Sequence, residues 1–401
     1  MELLENPVRP YSWGSRTVIA DLLGEEVPSP HPQAELWLGA HPGAPSHLVD
    51  GHGSRTSLLD AITADPRGRL GPDRADRWDG RLPFLFKVLA ADEPLSLQAH
   101  PSAAQAAEGF AREEAAGLDR DAPDRNYRDA QHKPELVCAL TEFHALIGFR
   151  EPTATVELLR DLDVPALAGH AELLAAQPDH HGLRALFTTW ITLPQSSLDT
   201  LVPALQEGCV RLAGGSERFS AEARTVLELS ERYPGDAGVL AALLLRRVTL
   251  APGEALYLPA GNLHAYLSGA AVELMANSDN VLRGGLTPKH VDVPELLRVL
   301  DFTAPSAPVL HGTPDAGWCR YDTPATEFLL RRWEGGPDDV RVPGDGPRIL
   351  LCTSGAAAVR SGAAELAVKR GASVWLGASD TDVTVSARAE GTQLFLAGDG
   401  L

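Results

Sequence analysis

The pattern of apolar residues changes type twice along this chain of 401 residues, and these changes limit the folds that it can adopt. Strand-like alternation and short apolar runs extend to about residue 150, and helical periodicity then begins at Glu151 and continues to about Arg247. Strand-like segments resume at Val248. We therefore expect a mainly β protein into which a helical unit is inserted.

From about Phe302 to the end, short predicted strands follow one another at regular spacing, which is typical of a sandwich or jelly roll. Residues 65–79 are polar and punctuated by Gly and Pro, and we expect a surface loop there. Three domains follow from these patterns: a first β domain of residues 1–150 and 245–302, a helical domain of 151–244, and a second β domain of 303–401.

Composition excludes some classes of partner. Hydrophobic residues make up 44% and charged residues 22% of the chain, as in soluble globular proteins. The formal net charge of -19 argues against binding to nucleic acid or to anionic membranes, which requires a basic surface. An anionic ligand would need a locally positive pocket. The sequence has no signal peptide pattern and no long apolar run, and its four cysteines are widely spaced. We therefore expect a cytoplasmic protein with free thiols.

Residues 94–101 form an unusual predicted strand. Ser96, Gln98 and His100 are spaced two apart, so their side chains should project from one face. An amide oxygen and an imidazole on one face are poor core residues but suitable metal ligands. Later polar segments contribute a carboxylate at Glu135 and a second imidazole at His264.

These four side chains would supply one amide oxygen, two imidazole nitrogens and one carboxylate. A set without thiolates fits a catalytic zinc site, with positions open for water or substrate, better than a closed structural site. Manganese, cobalt or iron could occupy the same set. From spacing alone, the alternative that each histidine is a hydrogen-bonded structural residue stays open.

Several motifs, in the right order, resemble the signatures of the type I phosphomannose isomerase family. They are YSWG at 11–14, ELWLG at 35–39, LQAHP at 97–101, HKPE at 132–135, PAGNLHAY at 259–266 and NSDNVLRGGLTPK at 277–289. The resemblance implies a catalytic cupin-type jelly roll, a helical domain and a C-terminal cupin-like β domain. It also implies a zinc enzyme that interconverts mannose 6-phosphate and fructose 6-phosphate.

The resemblance also implies roles for single residues. The family's metal ligands correspond to the four side chains that local chemistry suggests, and its catalytic arginine corresponds to Arg283. The four are Gln98, His100, Glu135 and His264. We expect one zinc ion per chain, a small sugar phosphate as the ligand, and a monomer.

Isomerisation through a cis-enediol requires a base beside the carbon that loses its proton. Glu273, nine residues after His264, is the first candidate, and a salt bridge to Arg283 is its alternative role. His132 and Lys133 are rival proton carriers beside Glu135, and Lys133 could instead hold a substrate hydroxyl.

Candidates for substrate binding are less specific. Arg283 lies between a polar turn and two glycines, where its guanidinium could stabilise the enediolate or bind phosphate. Lys289 and Ser96 are further phosphate candidates. Lys87, inside an apolar strand, either extends to solvent or faces a polar pocket, and Trp13 either packs in the core or contacts the ligand.

Two other functions are compatible with such a sequence. One is a sugar-phosphate-binding cupin without turnover, against which the presence of every candidate ligand and of Arg283 argues. The other is a metal cupin enzyme of another class, such as an iron dioxygenase.

Overall fold

The computed structural model describes residues 1–215, 218–303, 308–336 and 338–401, and its elements follow the three-part order predicted from sequence. Strands predominate up to residue 149 and again from residue 245, and helices occupy most of the chain between them. The expectation of a mainly β protein with a helical insertion is confirmed.

The first 150 residues contain nine strands and five helices. They are β1 (Glu2–Glu5), β2 (Val8–Arg9), α1 (Val18–Leu23), β3 (Glu35–Leu38), β4 (His47–Val49), β5 (Arg55–Ser57), α2 (Leu58–Ala64), α3 (Pro66–Leu70), α4 (Pro72–Arg77), β6 (Phe84–Ala91), β7 (Gln98–Ala99), α5 (Ala103–Ala115), β8 (Glu135–Ala139) and β9 (Phe143–Phe149).

The expectation of a surface loop over residues 65–79 is wrong, because α3 and α4 occupy most of that segment. The Asp65 carboxylate accepts a hydrogen bond from the Gly68 N–H at 2.9 Å and so caps α3. Pro66 and Pro72 each stand in the first turn of a helix, where the fixed φ of proline is favourable. The prolines therefore mark helix starts here.

The inserted unit is helical throughout its described part. Its helices are α6 (Pro152–Asp161), α7 (Pro165–Ala176), α8 (His180–Ile191), α9 (Gln195–Gly215), α10 (Ser220–Arg232) and α11 (Gly238–Ala242). Their buried faces share one core with Leu146, Leu263 and Leu282 of the β domain. The helical unit therefore packs directly on the strands that carry the candidate site.

Strands resume after α11, with one further helix among the described residues. The elements are β10 (Leu245–Leu250), β11 (Ala255–Leu258), β12 (His264–Ala276), β13 (Leu282–Arg283), α12 (Val293–Val299), β14 (Thr313–Asp315), β15 (Trp318–Tyr321), β16 (Leu329–Glu334), β17 (Val340–Arg341), β18 (Arg348–Ser354), β19 (Ala356–Ser361), β20 (Ala364–Lys369), β21 (Ser373–Leu376), β22 (Thr384–Ala387) and β23 (Gln393–Gly398).

The long strand β12 organises a ten-stranded antiparallel sheet. Its first part pairs with β9 and β7, and its second part pairs with β6 and β8. The change of partners occurs at Gly269, whose φ is 108°. A Cβ atom there would lie 2.4 Å from the Glu142 carbonyl oxygen, so the bend requires glycine.

A nine-stranded sheet joins the two ends of the chain. Its strand order is β14-β15-β16-β23-β18-β21-β1-β4-β5, so three N-terminal strands extend a sheet of the C-terminal part. One core packs this sheet against the ten-stranded sheet, with Phe86 and Val272 on one side and Trp375 and Phe395 on the other. The domain limits expected from sequence stay a prediction.

Candidate metal centre and active site

His100, Glu135 and His264 converge in the interior of the ten-stranded sheet. One ligand atom from each lies within 4.8 Å of the others. The Glu135 carboxylate places Oε1 3.2 Å from His100 Nε2 and Oε2 3.4 Å from His264 Nε2. All three residues are buried, with 2%, 3% and 4% of their surfaces exposed. Side chains from three segments, of which His264 lies 129 or more residues from the other two, thus share one small volume.

Backbone carbonyls fix the orientation of both imidazoles. His100 Nδ1 lies 2.8 Å from the Asn280 carbonyl oxygen, and His264 Nδ1 lies 3.1 Å from that of Asn262. Because a carbonyl only accepts, each Nδ1 carries the proton and each Nε2 presents its lone pair toward Glu135. His100 Nε2 is buried and has no hydrogen-bond partner. The lone pair of this nitrogen is therefore free to bind a metal ion.

Gln98 lies between His264 and Arg283 in the sheet. Strand pairing makes His264 its direct partner on one side and Arg283 its direct partner on the other. Directly paired residues project their side chains from the same face. The Gln98 amide therefore lies on the same face of the sheet as His264, and the Arg283 guanidinium lies on that face as well.

The protonation states suit metal binding. Burial lowers the pKa of His100, and although Glu135 opposes this shift, the Lys133 ammonium adds to it. Burial would raise the pKa of Glu135, but His100 and Lys133 outweigh burial and hold the pKa well below its ordinary value. A neutral imidazole and an ionised carboxylate are the forms that bind metal. Two imidazole nitrogens and a carboxylate, with an amide at the strand position paired with His264, fit zinc.

A second buried group lies beside this centre. Lys87 and Glu273 are direct partners on β6 and β12. Lys87 Nζ lies 3.1 Å from Glu273 Oε2 and 3.4 Å from Glu35 Oε1. The Tyr266 hydroxyl donates to Glu273 Oε1 at 2.9 Å. The salt bridge to Arg283, the alternative role for Glu273, is not the pairing observed, because the strand register places Lys87 opposite Glu273.

The charges of this group depend on one another. Burial alone would lower the pKa of Lys87, but the carboxylates of Glu35 and Glu273 raise it above the ordinary value. Burial raises the pKa of Glu273, the Lys87 ammonium opposes that shift, and Glu135 adds to it. Lys87 therefore does not extend to solvent: it is charged and faces a polar pocket.

Arg283, Arg128 and Lys289 form a group of cations beside the paired strand positions of Gln98 and Arg283, which we call the cationic rim. Burial and then the charge of Arg128 lower the pKa of Arg283. Burial, and then the charges of Arg283 and Arg128, lower the pKa of Lys289. These three charges are close enough to perturb one another and make this part of the surface locally positive in a protein of net charge -19.

The remaining predicted residues lie around the centre. Lys133 is buried, with Nζ 3.4 Å from Glu135 Oε1. His132 is half-buried and points to Glu327 of the C-terminal part, with 2.6 Å between Nε2 and Oε1. Ser96 is half-buried just before β7. Trp13 is half-buried, stacks on the ring of a neighbouring tyrosine, and packs against a core cluster of the β domain.

Sequence reasoning missed Arg128, Asn280 and Glu327. Arg128 is exposed in a charged segment and resembles any surface cation, and Glu327 is brought to the site only by the packing of the two β units. Asn280 had a weak signal, since it ends the polar turn of residues 277–280. A groove of ≈ 760 Å³ has the size of a small-molecule site, and its lining includes Arg128, Glu327 and His132 but none of the three converging ligands.

Comparisons with known proteins agree with this geometry. A family model described as phosphomannose isomerase type I, catalytic domain, matches residues 1–152. Mannose-6-phosphate isomerase of Escherichia coli is 40% identical over 389 residues, which cover 96% of this chain and 97% of the relative.

Solved structures resemble the whole fold. A zinc-bound holo structure of mannose 6-phosphate isomerase has a TM-score of 0.90 and 36% identity, and the likeness covers 100% of this chain and 99% of that one. The enzyme of Salmonella typhimurium, bound to its substrate fructose 6-phosphate and to zinc, also has a TM-score of 0.90 and 36% identity, over 100% of both chains.

Proposed function

This chain belongs to the type I phosphomannose isomerase family, and from that premise we infer that it is a zinc-dependent isomerase of D-mannose 6-phosphate and D-fructose 6-phosphate. The observation that carries the inference is the convergence of His100, Glu135 and His264, with ligand atoms within 4.8 Å of one another. An aldose–ketose isomerase must polarise two neighbouring sugar oxygens and move one proton between their carbons.

We assign zinc to four side chains: Nε2 of His100 and of His264, the Glu135 carboxylate, and the Gln98 amide oxygen. The lone pair of His100 Nε2, buried without a hydrogen-bond partner, supports the assignment. When bound, zinc supplies Lewis-acid polarisation of the substrate oxygens without redox chemistry. Lys133, 3.4 Å from Glu135, offsets negative charge at the centre and is also within reach to hold a substrate hydroxyl.

We assign the proton transfer to Glu273. Its carboxylate takes the proton from C2 of the aldose, which leaves a cis-enediolate, and returns that proton to C1, while the hydroxyl proton passes from O2 to O1 by way of the cis-enediol to give the ketose. The raised pKa of Glu273, caused first by burial, favours a group that both accepts and releases the proton. Lys87 holds this carboxylate in place and limits the shift, so Lys87 acts on Glu273 rather than on the phosphate. His132 is the weaker candidate because Glu327 engages its Nε2.

We assign the phosphate and the developing negative charge to the cationic rim. Arg283, next to Gln98 in the sheet, is suited to the enediolate, and Lys289 and Arg128 are suited to the phosphate. Ser96 and Trp13 stay candidates for contacts to the sugar, since both are half-buried and therefore partly accessible.

We expect the enzyme to act as a monomer in the cytoplasm. The described residues include no helix long and apolar enough to cross a membrane. The net charge of -19 disfavours nucleic acid as a partner, so the sugar phosphate is the expected ligand.

The experiment that tests this function combines turnover with isotope exchange. Purified protein is stripped of metal with a chelator, assayed with mannose 6-phosphate in deuterated water, and assayed again after zinc is restored. Isomerisation and incorporation of deuterium at the substrate carbon should disappear together and return together. A protein that binds the sugar phosphate without exchange would be a non-catalytic binding protein, and full activity without metal would exclude the Lewis-acid mechanism.

A further inference from the structure

Asn280, in the turn between β12 and β13, makes two sets of hydrogen bonds that point to different parts of the site. Its surface is 0% exposed. Its backbone carbonyl oxygen accepts the His100 Nδ1–H at 2.8 Å, which orients one imidazole of the metal centre. Its side chain extends to residues 128–131.

The Asn280 amide uses both of its ends on the backbone of that segment. Oδ1 accepts the N–H groups of Arg128 and Asp129 at 2.8 and 3.2 Å. Nδ2 donates to the carbonyl oxygens of Asp129 and Gln131, both at 2.8 Å. Two donors and two acceptors on one planar group are specific to an amide, since a carboxylate lacks the donors and a hydroxyl lacks the reach.

Residues 128–131 also accept hydrogen bonds from residues 278–280. The Asp129 carboxylate accepts the Ser278 hydroxyl at 2.9 Å and the Asp279 N–H at 2.8 Å. Residues 128–131 and 278–280 are thus joined from both sides, with Ser278 and Asn280 buried and Arg128, Gln131 and Asp279 exposed. A network of several hydrogen bonds on one buried amide fixes relative position more strongly than any single hydrogen bond.

Each joined segment carries part of the proposed active site. Residues 128–131 begin with Arg128, a member of the cationic rim, and lead into Lys133 and Glu135. Residues 278–280 hold His100 at one end and lead to Arg283 at the other. The Asn280 side chain therefore bridges the metal ligands and the cations assigned to the phosphate.

We propose that Asn280 is a positioning residue that couples metal binding to sugar-phosphate binding. A metal ion that fixes His100 also fixes Asn280, and Asn280 in turn fixes the backbone of Arg128. Binding at either site then favours binding at the other, as linkage requires. That the second ligand is a sugar phosphate rests on the proposed function. The hydrogen-bonded connection from His100 through Asn280 to Arg128 does not.

The test compares Asn280→Ala with the matched control Asn277→Ala. Asn277 lies in the same turn, and its Nδ2 donates to the Leu82 carbonyl oxygen at 3.3 Å. Zinc affinity is measured by competition with a chelating indicator, fructose 6-phosphate affinity by calorimetry on zinc-free and zinc-loaded protein, and hydrogen exchange at the Arg128 and Asp129 amides by mass spectrometry or NMR.

Asn280→Ala keeps the carbonyl oxygen that accepts from His100 but releases it from residues 128–131, so zinc binding should weaken by up to roughly 10-fold, the lower end of the cost of losing an outer-shell partner. The Arg128 and Asp129 amides should exchange faster, and the effect of zinc on fructose 6-phosphate affinity should shrink to the part that comes from direct contact between zinc and the sugar oxygens. Asn277→Ala should match the wild type in all three measurements. If Asn280→Ala does not give folded protein, Asn280→Asp decides the question: it keeps the acceptor, loses both donors, and should also weaken zinc binding.

Wild-type zinc affinity and wild-type coupling in a folded Asn280 variant of lowered thermal stability would show a merely structural role and overturn the proposal. Zinc without any effect on sugar-phosphate affinity in the wild type would overturn it as well. None of these measurements requires turnover. Failure of the isomerase assay on the wild type would therefore refute the proposed function. It would not decide whether Asn280 couples the two binding sites.

Discussion

Lys87 and Glu273 face each other across β6 and β12, with 3.1 Å between Nζ and Oε2, and both are buried, at 7% and 3% exposure. A buried ion pair adds little net stability, because the desolvation of both charges offsets their attraction. Its position beside the metal centre therefore indicates a catalytic use. The pair sets the proton affinity of the carboxylate that we assign as the base.

Replacing Lys87 by methionine should shift the pH dependence of isomerisation. The ammonium lowers the pKa of Glu273, so its removal raises that pKa and decreases the ionised fraction at a given pH. The acidic limb of the kcat/KM profile should move to higher pH by roughly 1–3 units. Lys369→Met, on the exposed face of β20, is the control. If the acidic limb of the Lys87→Met profile does not move, Lys87 does not set the pKa of the catalytic base.

Replacing Glu273 by glutamine should abolish proton transfer but leave the metal bound. The amide keeps the size of the side chain and cannot accept the proton, so kcat should fall by roughly 10²–10⁴-fold. Zinc content by elemental analysis should match the wild type. Near-normal turnover would transfer the role of the base to His132 or Lys133, whose alanine variants would then be assayed.

Replacing Glu135 by glutamine should remove zinc and activity together. The neutral amide cannot balance the ion's charge, so the centre loses its anionic ligand. Glu142→Gln, on the exposed turn before β9, is the control and should retain both metal and activity. Full zinc occupancy with normal turnover in Glu135→Gln would remove this residue from the ligand set.

Replacing Arg283 by alanine should preserve zinc and lower kcat. A guanidinium that stabilises the enediolate acts mainly in the transition state, so its loss should reduce kcat by roughly 10²–10³-fold. Steady-state kinetics against Arg388→Ala, which changes an exposed arginine of the C-terminal part, give the comparison. A raised KM with unchanged kcat would instead make Arg283 a residue that binds substrate and transition state equally.

Replacing Gly269 by alanine should destabilise the protein without touching the site directly. The residue has a φ of 108°, and the new Cβ would lie 2.4 Å from the Glu142 carbonyl oxygen. Backbone strain alone costs roughly 1–3 kcal/mol of the free energy of unfolding. Gly51→Ala, where a Cβ meets nothing within 4 Å, should be close to neutral in the same denaturant titration. Equal stability of the two variants would mean that β12 does not need its bend.

Much of this protein follows from local sequence. Period-two and helical patterns are set by residues near one another in the chain, so the order of strands, inserted helices and strands was predictable. The same holds for the nomination of Gln98, His100, Glu135 and His264, since each donor sits in a polar cluster within an apolar segment. The helices within residues 65–79 were missed because Pro and Gly serve helix starts as well as loops.

Only the tertiary structure decided which side chains meet. Sequence offered Arg283 as the partner of Glu273, and strand register supplied Lys87 instead, because pairing between strands 186 residues apart leaves no trace in local periodicity. Packing of the two β units likewise brought Glu327 to His132, and a buried turn placed Asn280 between His100 and Arg128. The sequence determined the donors, and long-range register and packing determined their partners.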